Sequence, residues 1–228
     1  MSDPDPGRRA FGEGPLSRVA ALVYNLLVIE LLLLLATAPG LAGSLLIVPD
    51  ASDAPLIALC ALPLGPALSA ALYALHHRRR ALTDLSPAAA FWRGYRANLR
   101  GALQVWAPWL GFETIVAVNL THPAVAGIPR WWATLLVLIA VAAAVWAVEA
   151  LTITSLLSFR ARDVARLAAF SLARHPGVTL ATTCLLVATA AILLASEAAL
   201  ALLGSVLALV LVRVCRPVIE EIQRELTT

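Results

Sequence analysis

Lysine is missing from the 228 residues, so all 17 basic side chains are arginine. Charged residues of either sign make up only 14% of the chain, against 61% apolar. A soluble domain carries about 45–50% apolar residues, so this balance, with a mean hydropathy of +0.85, points to a membrane protein. The formal charge of +3 does not suggest a nucleic-acid partner, because the arginines sit at the ends of apolar runs and form no soluble basic face. Cysteine is equally sparse. Cys60, Cys184 and Cys215 are odd in number, show no CxxC spacing and lie in or at the end of apolar runs, which reads as packing. Disulfide framework and metal-ligand spacing are both absent from the sequence.

Catalytic motifs are missing too. The chain has no GxSxG, no HExxH and no P-loop, and neither an embedded Ser–His pair nor two aspartates within the apolar runs. His76 and His77 are adjacent, and neighbouring residues on a helix point apart, so they do not form a metal pair. The expectation is a non-enzymatic protein without a cofactor.

What is present is a series of apolar runs. Residues 1–14, rich in Pro, Gly, Asp and Arg, read as a disordered cytoplasmic leader. Residues 15–217 read as an all-α bundle of six transmembrane helices, and 218–228 as a short charged cytoplasmic tail. A spanning helix needs roughly 20 apolar residues, and the expected spans are 16–38, 56–75, 101–120, 131–156 and two within 178–214. The first run exceeds the ordinary length of a signal-peptide core, although Ala36-Thr37-Ala38 loosely resembles a cleavage site. Pro39-Gly40 should break or kink it, leaving 41–48 as a tilted extension or a re-entrant piece. Pro63 and Pro66 should kink the second span, with neighbouring helices satisfying the freed carbonyls. Residues 178–214 are too long for one span and should turn at Ser196-Glu197.

The arginines set the orientation. With six spans, one side receives every arginine except Arg130, and the positive-inside rule places both termini in the cytoplasm. Trp131 and Trp132 fall where an outer aromatic belt belongs.

Two sets of residues are candidates for function. The first lies in the connector between the second and third expected spans. Arg78, Arg79 and Arg80 end one span; Ser86 and Pro87 then provide an N-cap and first-turn proline. Phe91, Tyr95 and Leu99 follow at i, i+4, i+8, and Arg93, Arg96 and Arg100 at i, i+3, i+7. With Trp92, this is the pattern of a helix lying on the membrane surface, its aromatic face among the headgroups and its arginines meeting anionic lipid or a docking partner. A second connector, 159–174, repeats the arginines, and its Ala168-Ala169-Phe170 echoes Ala89-Ala90-Phe91.

The second set is a candidate polar intramembrane site. Glu30, Glu113 and Glu149 lie within expected spans, where a charge costs roughly 2.5–3.5 kcal/mol even on a lenient scale and usually faces the bundle interior. Trp109 precedes Glu113 by four residues, and Trp146 precedes Glu149 by three, with Thr152 and Ser155 following. Two readings stand: interhelical hydrogen bonds, for example to Asn25, Asn119 or Thr152, or a proton-sensitive carrier or channel built on the glutamates.

Gly65-Pro66-Ala67-Leu68-Ser69-Ala70-Ala71-Leu72-Tyr73, then arginines, then Phe91-Trp92-Arg93-Gly94-Tyr95-Arg96-Ala97-Asn98-Leu99 resembles the YesL-like family, bacterial integral membrane proteins of unknown function. The likeness is best over 62–103. Gly65 and Pro66 would there permit a kink and close helix approach. Members of that family often lie beside carbohydrate-transporter permeases, so the resemblance implies an accessory role in sugar uptake, with a permease or another membrane protein as partner. It implies no catalytic residues.

Overall fold

The computed structural model describes residues 15–47, 53–77, 86–121, 130–157 and 161–225. The described residues form nine helices and no strand: α1 (Pro15–Leu45), α2 (Ala54–Cys60), α3 (Leu64–His77), α4 (Pro87–Thr121), α5 (Arg130–Leu156), α6 (Ala161–Arg174), α7 (Pro176–Ala195), α8 (Glu197–Val214) and α9 (Arg216–Glu225). The leader 1–14, Arg78, Arg79 and Arg80 lie outside the described residues.

Four stretches are long and apolar enough to cross a membrane: Val19–Leu45, Ala54–His77, Trp131–Leu156 and Pro176–Ala195. Ala198–Val214 is apolar but shorter, and 101–120 is not among the four. The chain is an integral membrane protein. Its exposed leucines suit that solvent: on α1, Leu27, Leu31 and Leu35 form an outward stripe while Ile29 and Leu33 are buried on the other face.

Two expected breaks are absent. Pro39 lies inside α1, which runs on to Leu45, so the extension reading holds and the break does not. One proline removes a single hydrogen bond, and the turns on either side keep theirs. The connector 86–100 and the span 101–120 are likewise not two helices. They form one 35-residue helix, α4, about 52 Å long at 1.5 Å per residue. Nothing at Arg100-Gly101 supplies a stop signal. Ser86 stands where a cap belongs, its carbonyl accepting the Ala90 N–H at 3.3 Å.

Other expected features are present. The second apolar run is interrupted at Ala61–Pro63, between α2 and α3, and the Ala61 carbonyl there accepts the Trp106 indole N–H at 3.0 Å. α7 and α8 pack against each other around Ser196, whose extended backbone (φ −167°, ψ 117°) separates them and whose Oγ accepts the Ala199 N–H. Within the charged tail, α9 forms and buries Val218 and Ile219.

α3 is the centre, packed on α1, α4, α5 and α8. Its Ala67, Ala70, Ala71 and Leu72 are fully buried, in one core with Phe91 of α4 and Leu211 of α8. Between helices in lipid, close packing replaces hydrophobic burial as the main attraction. Small residues on α3 therefore let four neighbours approach.

Candidate functional site

The three glutamates do not converge. Glu30 is buried on α1, and its Oε2 accepts the backbone N–H of Ser205 on α8 at 2.6 Å. Its neighbour Gly204 leaves room for this, since a Cβ there would lie 3.1 Å from Glu30 Oε1. Glu113 is half-buried and accepts the Trp109 indole N–H at 2.9 Å, within its own helix. The amides proposed as partners turn away: Asn25 donates to the Ala21 carbonyl and Asn119 to that of Ile115.

Glu149 is different. It is 4% exposed, on α5, and faces α6. α6 presents Val164, Ala168 and Ser171 at i, i+4, i+7, a buried stripe against α5. Ser171 Oγ donates to Glu149 Oε2, while Oε1 is buried without a hydrogen-bond partner. Trp146, one turn earlier on α5, ties α6 in place by donating to the Ala165 carbonyl at 3.1 Å. A small pocket opens beside the carboxylate, lined by Glu149, Thr152, Ser171, Val178, Cys215 and Ile219 among others, with room for about one water. Five helices or their ends meet here. At the same end, Glu221 of α9 holds Arg174 at 3.3 Å and His175 at 3.0 Å.

Of the flanking hydroxyls, Thr152 lines the pocket but Ser155 does not. Ser155 Oγ lies 2.8 Å from Ser69 Oγ, and the Ser155 carbonyl accepts the Asn98 side chain at 3.0 Å. That carbonyl belongs to the last turn of α5, where backbone acceptors lack helical partners. Sequence reasoning missed Ser171 and Ser205, took Cys215 only as packing, and met Asn98 only within the family-like stretch. Ser171 was findable from the α6 stripe; Ser205 was not, because its contribution is a backbone N–H. Among the described residues, no three His, Cys, Asp or Glu side chains gather to hold a metal ion, and the three cysteines are free thiols.

The arginine connector has a different surface from the one its spacing suggested. Phe91 is fully buried and Tyr95 half-buried, so this face of the helix packs on protein, in one core with α3. The physical reason is that α4 is continuous and its first half lies along α3, where an apolar face meets protein. Trp92, Arg93, Arg96 and Arg100 are exposed, and among the described residues none of these three arginines forms an ion pair.

Two glycines explain how closely α3 and α4 lie. A Cβ on Gly65 would run into the Trp106 side chain, and one on Gly94 would lie 2.8 Å from the Tyr73 ring. Each helix thus offers one glycine and one aromatic, and each glycine receives the other helix's ring. The family model for a protein of unknown function, DUF624, matches residues 26–120. No curated protein and no solved structure matches the chain. The stretch similar to DUF624 ends with α4, so it holds the whole glycine–aromatic seam, Glu30 and Glu113, but not Glu149.

Proposed function

We propose that the protein is a non-enzymatic, YesL-like component of the bacterial inner membrane that serves a carbohydrate transport system by docking a permease or other membrane partner. The observation that carries this reading is the stripe of Arg93, Arg96 and Arg100: exposed, at i, i+3, i+7, and without ion pairs among the described residues. Arginine is the side chain suited to bidentate recognition of carboxylates and phosphates. Left unpaired on a helix pinned to the core by Phe91, three of them form a prepared surface for acidic protein groups, with anionic lipid as the neighbouring partner. In this reading the chain crosses six times with both termini in the cytoplasm. The α7–α8 hairpin supports that count, since it returns α9 to the end of α6, where Glu221 meets Arg174. Isolation in mild detergent followed by mass spectrometry tests the proposal. A sugar-transporter permease should accompany the wild type and be lost when Arg93, Arg96 and Arg100 are all changed to Gln; recovery of the protein alone, under conditions that keep permease complexes intact, defeats it.

The rival, a small proton-sensitive carrier or channel, keeps one observation in its favour, the unpartnered Glu149 Oε1. Glu30 and Glu113 are each engaged by a donor and add nothing to it.

A further inference from the structure

α6 has two unlike sides. Val164, Ala168 and Ser171 are buried, and the opposite side of the same helix is exposed. That side carries Arg162, Arg166 and Phe170 at i, i+4, i+8, so the three form one stripe. Among the described residues, Arg162 and Arg166 form no ion pair. Arg174 is already engaged, since it holds Glu221 and lies 5.6 Å from the centre of the Phe170 ring. Asp163, the one acid of the helix, sits in its first turn, where the helix dipole favours a negative charge. The outward face is thus two guanidinium groups beside one bare aromatic ring.

We propose that this face binds an anionic glycerophospholipid, with Arg162 and Arg166 on the headgroup phosphate and Phe170 among the upper acyl-chain carbons. Three features select that partner. The first is depth. An upright helix crosses the roughly 30 Å hydrocarbon core in about 20 residues. The exposed pair Trp131-Trp132 opens α5 and suits one membrane boundary, which puts the other near Leu151. α6 lies across α5 at that level: Trp146 reaches the Ala165 carbonyl, Glu149 accepts from Ser171, and Ala150 and Ile153 pack with Val164 and Ala168. Its outward side therefore meets the headgroup layer. The second is fit. A guanidinium group matches phosphate oxygens in pairs, and the exposed ring adds an apolar contact that only a ligand with acyl chains can return. The third is charge. Two cations with no carboxylate paired to them favour a headgroup of net negative charge over a zwitterionic one. The α4 arginines belong to another level. Asn98 meets the Ser155 carbonyl in the last turn of α5, so Arg93 and Arg96 lie beyond the turns that α6 covers. The assignment needs only that α5 crosses the membrane, so it stands or falls apart from both readings above.

Native mass spectrometry of the full-length protein is the test, with phosphatidylglycerol and phosphatidylcholine of identical acyl chains in competition. The wild type should retain phosphatidylglycerol in preference. An arginine at an anionic surface changes affinity roughly fivefold. Arg162→Gln together with Arg166→Gln should therefore weaken phosphatidylglycerol binding about 25-fold and erase the preference. Arg166→Gln alone should weaken it about fivefold, and it serves in place of the pair if the double variant does not fold. Inorganic phosphate in excess should not displace the lipid. Equal retention of the two lipids by the wild type overturns the proposal. So does a preference that survives the arginine changes on α6, or displacement by inorganic phosphate. Changing Arg93, Arg96 and Arg100 together to Gln should keep the preference; a loss as large as that of the α6 variant would make the effect one of net charge and overturn the proposal equally.

Discussion

The first half of α4 and the whole of α6 share an Ala-Ala-Phe triplet and end differently. Both carry arginines, both contain Ala-Ala-Phe, and both lead toward an apolar run. In α4 the phenylalanine, Phe91, is fully buried; in α6 its counterpart Phe170 is 59% exposed, with Arg174 5.6 Å above its ring. The cause lies downstream. After Arg100 comes glycine, and the helix continues into the apolar run as one rod. After Arg174 comes His175-Pro176, and a residue before proline is pushed out of the helical region. His175 sits at φ −118°, ψ 68°, α6 ends, and α7 leaves in a new direction. A rod that must lie along α3 buries its aromatic face there; a detached segment is free to turn its Ser171 face inward and its phenylalanine out. The difference teaches that a connector's surface is decided by whether the chain can continue from it, more than by its own composition.

The comparison can be broken most forcefully at the phenylalanines. Removing a fully buried ring costs about 3–5 kcal/mol in a packed core. Phe91→Ala should therefore lower Tm strongly and reduce folded yield in fluorescence-detected gel filtration. Phe170→Ala should stay within roughly 0.5 kcal/mol of the wild type, as exposed substitutions do. Equal losses would mean that the two connectors share a packing role after all.

A smaller separation is expected three residues on. Gly94 lies against Tyr73 with no room for a side chain, while its counterpart Ala173 is exposed. Gly94→Val should cost on the order of 1–3 kcal/mol through overpacking, and Ala173→Val almost nothing, both read as Tm shifts under one detergent condition.

The smallest effect concerns the arginines themselves. Arg174 is paired with Glu221, but the two side chains are 56% and 35% exposed, so the pair is worth only about 0–1 kcal/mol. Glu221→Gln should shift Tm by a degree or two, and Arg96→Gln, which breaks no pair, by less. An Arg96→Gln effect larger than that of Glu221→Gln would show that the α4 stripe is already engaged within the protein.

These contrasts mark how far the sequence could be read. The apolar runs and the turn at Ser196 were legible because hydrocarbon thickness limits a span, and 178–214 exceeds one. The interruption at Pro63 was legible as well; there the Trp106 indole N–H reaches the Ala61 carbonyl, which also accepts the Leu64 N–H. The continuity of α4 was not, because Arg100-Gly101 carries no signal for either outcome. The burial of Phe91 was hidden for a related reason. In a membrane protein, lipid and protein reward the same apolar face, so an amphipathic pattern locates the arginines without saying what lies opposite. α9 was legible but overlooked: Val218, Ile219 and Ile222 recur at helical spacing within the charged tail. For the polar residues, the sequence showed that Glu149 and Trp146 share a face, and both do meet α6. It could not show that Glu30 depends on a backbone amide, which leaves no trace in residue identity.

That last bond has a consequence in time. Glu30 and Ser205 are 175 residues apart. At a synthesis rate of roughly 5–20 residues per second, about 9–35 s separate the emergence of the acid from that of the amide it binds. Throughout that interval the Glu30 carboxylate is without the Ser205 amide. The α1–α8 contact can close only after α8 has been made, so the first apolar helix waits on a helix far down the chain for the partner of its acid.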